Sequence, residues 1–243
     1  MNERDEKIEG GEIVVQNKFL NWLDNFWYHY KWHTIIISFF VFVFGFCFVQ
    51  CATAEHSDVI VTYAGGYTLT ASESEEVAKL FSSVLQKSEN GNTDTVGLNP
   101  FSVYTEKELR TSYTDPETGE FSSSAYWSAK AVNDEHIKGF SNFILTGESA
   151  VILVSSYVYE ERLQKDRLMT LAELGIDSEY AENEYAIRLS ATDFYAHYDL
   201  MKLFPEDTLL VLTKPSFSGA TAEEETYELH QRLFCLIANY REG

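Results

Sequence analysis

Asp58–Leu85, DVIVTYAGGYTLTASESEEVAKLFSSVL, is the stretch of the chain that decides the fold. It begins with a short apolar run that stops at Gly65-Gly66. A run of this length followed by glycines is typical of a strand and a turn. Ser72 and Glu75 have the spacing of a capping box, which predicts a helix after the turn. Apolar residues then recur at helical spacing: Val77, Leu80, Phe81, Val84 and Leu85. The stretch therefore predicts a strand, a turn and a helix, the repeating unit of an α/β domain.

The same alternation continues toward the C terminus. Further strands are predicted at residues 95–104, Ala150–Val154, Tyr185–Leu189 and Thr208–Thr213. Helices are predicted over residues 122–146 with a break near Asn133, over Tyr157–Gly175, around Phe194–Met201, and after Thr221, which pairs with Glu224 as a second capping box. Short apolar strands that alternate with longer helices predict one layered α/β domain with a largely covered sheet over residues 55–243.

Thr34–Cys51, TIIISFFVFVFGFCFVQC, precedes this domain and contains no charged residue. When it is extended to Ala54 it comprises 21 uncharged residues, which as a helix are about 31 Å long and match the hydrocarbon core of a bilayer. Its phenylalanines leave no polar face, whereas the helix of a soluble protein normally keeps one. We predict a transmembrane helix over residues 34–54 and hence a single-pass protein that contacts the membrane through this segment.

The flanks of the apolar segment predict its orientation. Lys18 and Lys31 precede it, whereas the first basic residue after it is Lys79, which lies outside the window that sets topology. Residues 1–33 are therefore expected in the cytoplasm and the α/β domain outside the cell. The aromatic residues before the span fit the headgroup level, either as an interfacial helix over residues 17–31 or as a continuation of the transmembrane helix.

Ala52-Thr53-Ala54 leaves a second localisation open, because small residues in this arrangement resemble a signal-peptidase site. Cleavage after Ala54 would release the domain as a secreted protein. The apolar stretch is longer than the roughly 7 to 15 residues of a signal peptide, and the leader of 33 residues before it is nearly neutral. The sequence therefore favours an uncleaved signal anchor.

The charge and the cysteines of the chain exclude further classes of function. The formal net charge is -20, and residues 52–243 hold 32 acidic and 14 basic residues. Such a domain repels phosphate backbones, so no nucleic-acid partner is expected. Cys235 is the one cysteine of the sequence outside the apolar segment, so the domain cannot form an internal disulfide and must be stabilised by its core.

No candidate residues for catalysis, cofactor binding or metal binding have the spacing that the known motifs require. Gly147-Glu148-Ser149 begins like the nucleophile elbow of serine hydrolases, but Val151 stands where glycine is required, and the serine precedes its strand. The histidines lack the spacing of metal ligands. We therefore predict no catalytic, cofactor or metal site and a protein that is not an enzyme. A hydrolase whose site assembles only in space is the least favoured alternative.

Four stretches carry a resemblance to known proteins. Phe26–His33 and Asp58–Gly65 resemble membrane-anchored extracytoplasmic proteins of Gram-positive gut bacteria, a largely uncharacterised group. Phe143–Val154 and Thr208–Tyr240 are similar to one lobe of extracellular solute-binding proteins. The resemblance implies an extracytoplasmic binding or accessory protein with a small-molecule or envelope-protein partner. The 192 residues from 52 to 243 are few for a complete two-lobed binding protein.

Tyr67 and Tyr157 are the predicted ligand-binding residues. Tyr67 follows the glycine turn after the first strand, and Tyr157 follows the strand Ala150–Val154. Open α/β sheets bind ligands at the loops after the C-terminal ends of their strands, which is where both tyrosines are expected. The competing hypothesis is a structural or assembly partner of a cell-envelope complex, which would use an acidic or tyrosine-rich face instead.

Overall fold

The structure, a computed structural model, describes residues 18–53, 57–88, 91–176 and 179–241. The chain divides into two compact units, Met1–His56 and Ser57–Gly243. Among the described residues, the first unit contains one helix, and the second contains a mixed α/β fold with a single sheet.

The helix of the first unit, α1 (Lys18–Thr53), runs without interruption for 36 residues. Its stretch Asn25–Val49 is long and apolar enough to cross a membrane. Trp22, Phe26 and Tyr30 stack along one side, with successive ring centroids 5.6 and 5.4 Å apart. The aromatic segment and the apolar segment thus belong to one continuous helix, the second of the two arrangements expected from the sequence. Residues 1–17 and Ala54 lie outside the described residues.

Five strands form the sheet of the second unit in the order β2-β1-β3-β5-β4, and they are the five strands predicted from the sequence. Their bounds are β1 Val59–Gly65, β2 Val96–Ser102, β3 Val151–Ser155, β4 Ala186–Arg188 and β5 Thr208–Leu212. β1 pairs in parallel with β2 and β3, and β5 pairs antiparallel with β3 and β4. β1, β2 and β3 therefore end at one end of the sheet, the carboxyl end, while β5 ends at the opposite, amino end.

Six helices cover the sheet within the described part of the second unit. Their bounds are α2 Ala71–Lys87, α3 Glu106–Ser112, α4 Ser123–Thr146, α5 Ser156–Arg162, α6 Asp193–His197 and α7 Glu224–Ala238. The strand residues belong alternately to two apolar clusters, because successive side chains of a strand point to opposite faces of the sheet. One cluster packs the sheet against α2, α6 and α7, and the other packs it against α4 and α5. The unit has its own two-sided core, and Cys235 is a free thiol.

Two helices begin at other residues than the sequence predicted. Thr70 caps α2: its hydroxyl accepts from the Glu73 N–H at 3.2 Å, and Glu73 Oε2 accepts from the Thr70 N–H at 2.7 Å. The predicted box of Ser72 and Glu75 was wrong because both pairs have the required spacing, and the pair nearer to the turn starts the helix. Thr221 does not cap α7, since its hydroxyl donates to a buried partner, the Gly147 carbonyl, at 2.9 Å.

The predicted helix Tyr157–Gly175 was also wrong. α5 ends at Arg162, and Leu168 pairs with Thr213 in an isolated bridge. The Met169 N–H donates to the Leu212 carbonyl at 2.9 Å, so hydrogen bonds to β5 replace those of a longer helix. α4, by contrast, has no break at Asn133.

Candidate functional site

The carboxyl end of the sheet is the usual ligand-binding place in open α/β folds. β1 lies between β2 and β3, so the chain leaves β1 toward one side of the sheet and returns to β3 on the other. A crevice between the loops after β1 and β3 is expected at such a reversal. Tyr67 follows β1 in a loop, whereas Tyr157 lies in the first turn of α5, which begins directly after β3.

The side chains of these two tyrosines are not brought together. Tyr67 packs against the cluster under α2, and its hydroxyl donates to Glu73 Oε1 at 2.8 Å. Tyr157 packs on the opposite face of the sheet, and its hydroxyl accepts a long hydrogen bond of 3.5 Å from Arg162. Each tyrosine is held by contacts of its own face, and their role in ligand binding remains a prediction.

Tyr63 lies in β1, four residues before Tyr67, and is buried at the carboxyl end of the sheet. Its hydroxyl accepts from the Tyr67 N–H at 3.2 Å. Burial raises the pKa of Tyr63 well above its usual range, so the hydroxyl stays protonated. A Cβ on Gly65 would lie 2.6 Å from this hydroxyl, so only glycine leaves room for the tyrosine ring beside the turn. Tyr63 therefore stabilises the turn through its hydrogen bond to the Tyr67 N–H.

A concave site lies at the amino end of the sheet. Two adjacent cavities of about 300 and 180 Å³ share the lining residues Ile144, Leu145, Arg167 and Thr213. Their walls are the last turn of α4, the segment Arg162–Leu168 and the segment Thr213–Thr221, and we call this site the groove. Its segments are distant in sequence and meet because Leu168 pairs with Thr213 beside the end of β5.

Two glycines fix one wall of the groove to the end of α4. Gly147 ends the helix with φ of 76°, and Gly219 has φ of 74°, a backbone region that favours glycine. A Cβ on Gly147 would lie 2.3 Å from the Ser218 carbonyl oxygen, and one on Gly219 would lie 2.2 Å from that of Thr146. The Thr221 N–H also donates to the Gly147 carbonyl, at 2.8 Å. The two backbones are therefore in direct contact.

The other wall is joined to the same loop through Lys214. The Lys214 N–H donates to the Arg167 carbonyl at 2.7 Å, and its ammonium group donates to the Asp166 carbonyl at 3.0 Å. The segment after β5 thus contacts α4 on one side and the Arg162–Leu168 segment on the other. Backbone hydrogen bonds on both sides give the groove a fixed shape.

The charged side chains that line the groove are mostly basic. They are Arg162, Arg167 and Lys214, with Asp166 as the carboxylate among the lining residues. Within the described part of the chain, none of these three cations forms an ion pair with a carboxylate. Six other basic residues of the unit do: Lys79, Lys130, Lys165, Arg188, Lys202 and Arg241. The groove is thus a basic site on an acidic domain.

Apolar side chains stand beside these cations. Phe217, at the tip of the loop between β5 and α7, is fully exposed, and Leu145 on α4 is 50% exposed. Both line the larger cavity. Single exposed apolar residues are common, but two on the rim of one concave site provide an apolar contact surface.

Ser149, the serine of the incomplete nucleophile motif, lies just beyond the groove and is buried. Its hydroxyl donates to the Ile60 carbonyl at 2.6 Å. His230 is fully buried on α7, and burial lowers its pKa against the opposing effect of the Thr226 and Ile60 carbonyls. The Ser149 hydroxyl thus contacts backbone at the start of β1, and Nδ1 of His230 contacts the Thr226 carbonyl of its own helix.

The groove could not be predicted from the sequence, because Arg167 and Lys214 meet only through tertiary pairing. The predicted helix Tyr157–Gly175 placed Arg167 on a helix, away from the loop after β5. The available signal was Lys214-Pro215-Ser216-Phe217-Ser218-Gly219, a loop with a basic residue and an aromatic one between turn-forming residues. Comparison with known protein families, with curated proteins and with solved structures finds no match to this chain.

Proposed function

We propose that the chain is a single-pass membrane protein whose α/β unit lies outside the cell and acts as a binding or accessory protein. The length and apolar character of Asn25–Val49 support a membrane anchor. Lys18 and Lys31, which both precede the uncharged segment that begins at Thr34, favour a cytoplasmic N terminus. In an alternative form of the proposal, cleavage after Ala54 releases the α/β unit as a secreted protein. The proposal also includes descent of this unit from one lobe of a solute-binding protein.

Binding takes place in the groove in this proposal. The observation that carries it is the combination of a fixed concave shape, the exposed Phe217, and three cations without carboxylate partners in the described part of the chain. A preformed site loses less conformational entropy on binding, so rigid walls favour recognition. The groove is preferred to the carboxyl end because Tyr67 and Tyr157 pack there on different faces of the sheet.

Site-specific photocrosslinking in intact cells tests this proposal. The full chain carries a benzophenone amino acid at Phe217, and the matched control carries it at Val132, which is 55% exposed on α4. We expect an adduct from position 217 that is missing from position 132. The absence of any adduct specific to position 217 would refute binding in the groove. An adduct that has lost residues 1–54 would identify the secreted form.

A further inference from the structure

We infer that the partner of the groove is an acidic segment of a polypeptide that carries at least one apolar side chain. This inference rests on the proposed function and specifies its ligand. It concerns the chemistry of the occupant, for which the charges and the exposed apolar residues of the groove are the evidence.

The unpaired cations favour a carboxylate-bearing occupant. Arg162 and Arg167 present planar guanidinium groups, which bind carboxylates through two parallel hydrogen bonds. Lys214 adds a compact charge on the opposite wall, and Asp166 is the carboxylate that offsets them. In a domain with 32 acidic and 14 basic residues, three basic side chains along two adjacent cavities, none of which forms an ion pair within the described part of the chain, favour an anion supplied from outside.

The acidity of the rest of the domain does not cancel this attraction at contact. Asp166 is the carboxylate among the lining residues, and Glu173 interacts electrostatically with Lys214. At physiological ionic strength, charges more than about 8 Å apart in solvent are largely screened. A bound carboxylate would contact the groove cations directly, whereas acidic residues beyond that distance would repel it only weakly.

The apolar rim selects a polypeptide over a simple anion. Phe217 and Leu145 would remain exposed beside an inorganic ion, but they would be covered by the apolar side chain of a bound segment. The two adjacent cavities share four lining residues and offer neighbouring places for successive side chains of a bound segment. A flat anionic membrane surface could not enter these cavities.

Selection from a displayed library of random dodecapeptides tests the inference. The full chain is presented in nanodiscs of neutral phosphatidylcholine, and bound peptides are sequenced. We expect enrichment of peptides that combine several Asp or Glu residues with an aromatic or aliphatic residue. The double variant Arg167→Glu/Lys214→Glu should lower the affinity of the selected peptides roughly tenfold or more. Lys138→Glu, a matched charge reversal at an exposed position of α4, should not change it.

The outcomes separate the two proposals. Enrichment of basic or neutral peptides, or equal binding to the double variant, overturns the acidic-segment inference. A specific adduct at position 217 without peptide enrichment overturns it as well but leaves the proposed function intact. Binding to phosphatidylglycerol vesicles or self-association in sedimentation, either dependent on Arg167 and Lys214, assigns a different occupant and also overturns it. If the double variant melts earlier than the parent chain, Arg167→Gln/Lys214→Gln replaces it in every assay.

Discussion

Replacing Gly147 by alanine should loosen the wall of the groove and destabilise the α/β unit. Gly147 ends α4 with φ of 76°, a conformation that costs an ordinary residue about 1 to 2 kcal/mol. The new Cβ would also lie 2.3 Å from the Ser218 carbonyl oxygen and 2.4 Å from the Ser216 Cβ. Such overpacking typically costs about 1 to 3 kcal/mol. The two effects predict a loss of about 2 to 5 kcal/mol in the free energy of unfolding.

Gly175→Ala is the matched control for this prediction. Gly175 has a similar φ of 67°, but a Cβ there would meet nothing within 4 Å. Its replacement should therefore cost only the conformational part, about 1 to 2 kcal/mol. The difference between the two variants isolates the contact between α4 and the loop after β5.

Urea unfolding of residues 57–243, followed by circular dichroism, measures both variants. The midpoint of Gly147→Ala should fall well below that of Gly175→Ala, with unchanged slopes. If the two variants lose the same free energy of unfolding, Gly147 is not in close contact with the loop after β5. The groove would then not be preformed.

Three further predictions concern the core, a helix start and a buried histidine. Leu153→Ala, at a fully buried position of β3, should cost about 2 to 5 kcal/mol of unfolding free energy in urea titrations. Thr70→Ala should cost about 1 kcal/mol through loss of the α2 cap, whereas Ser72→Ala should stay within about 0.5 kcal/mol in the same assay. Because burial lowers the pKa of His230, the unfolded state takes up its proton first as pH falls. Stability should therefore decrease below about pH 6.5, by at most about 1.4 kcal/mol per pH unit, and His230→Leu should flatten that part of the pH profile.

The strands were predictable from the sequence because their signal is local. Ala150–Val154 and Thr208–Thr213 are short apolar runs bounded by turn residues, and β3 and β5 lie there. The helical pattern after Tyr157 failed because Leu168 pairs with Thr213, and that pairing cannot be read from spacing along the chain. Tertiary hydrogen bonds decided the structure of this segment.

The candidate site could not be predicted for the same reason. Arg167 and Lys214 become neighbours only after β5 inserts between β3 and β4, and this insertion depends on strand order. The end of β1 could be placed because the strand stops at Gly65-Gly66, and the end of β3 because its apolar run stops at Val154. The two predicted tyrosines were correctly placed in sequence, but the pleat of the sheet and the packing of the helices determine which face each side chain joins.

A structural explanation for the groove cations would be that they compensate the negative end of the α4 dipole, since α4 has no basic residue in its last turn. The hydrogen bonds argue against this. The Ile144 carbonyl accepts from the Gly147 N–H at 3.2 Å, and the Thr146 carbonyl accepts from the Ser218 hydroxyl at 3.3 Å. The Gly147 carbonyl accepts from the Thr221 N–H and hydroxyl. The end of α4 is thus capped by its own glycine turn and the loop after β5, so the groove cations are not required to cap it.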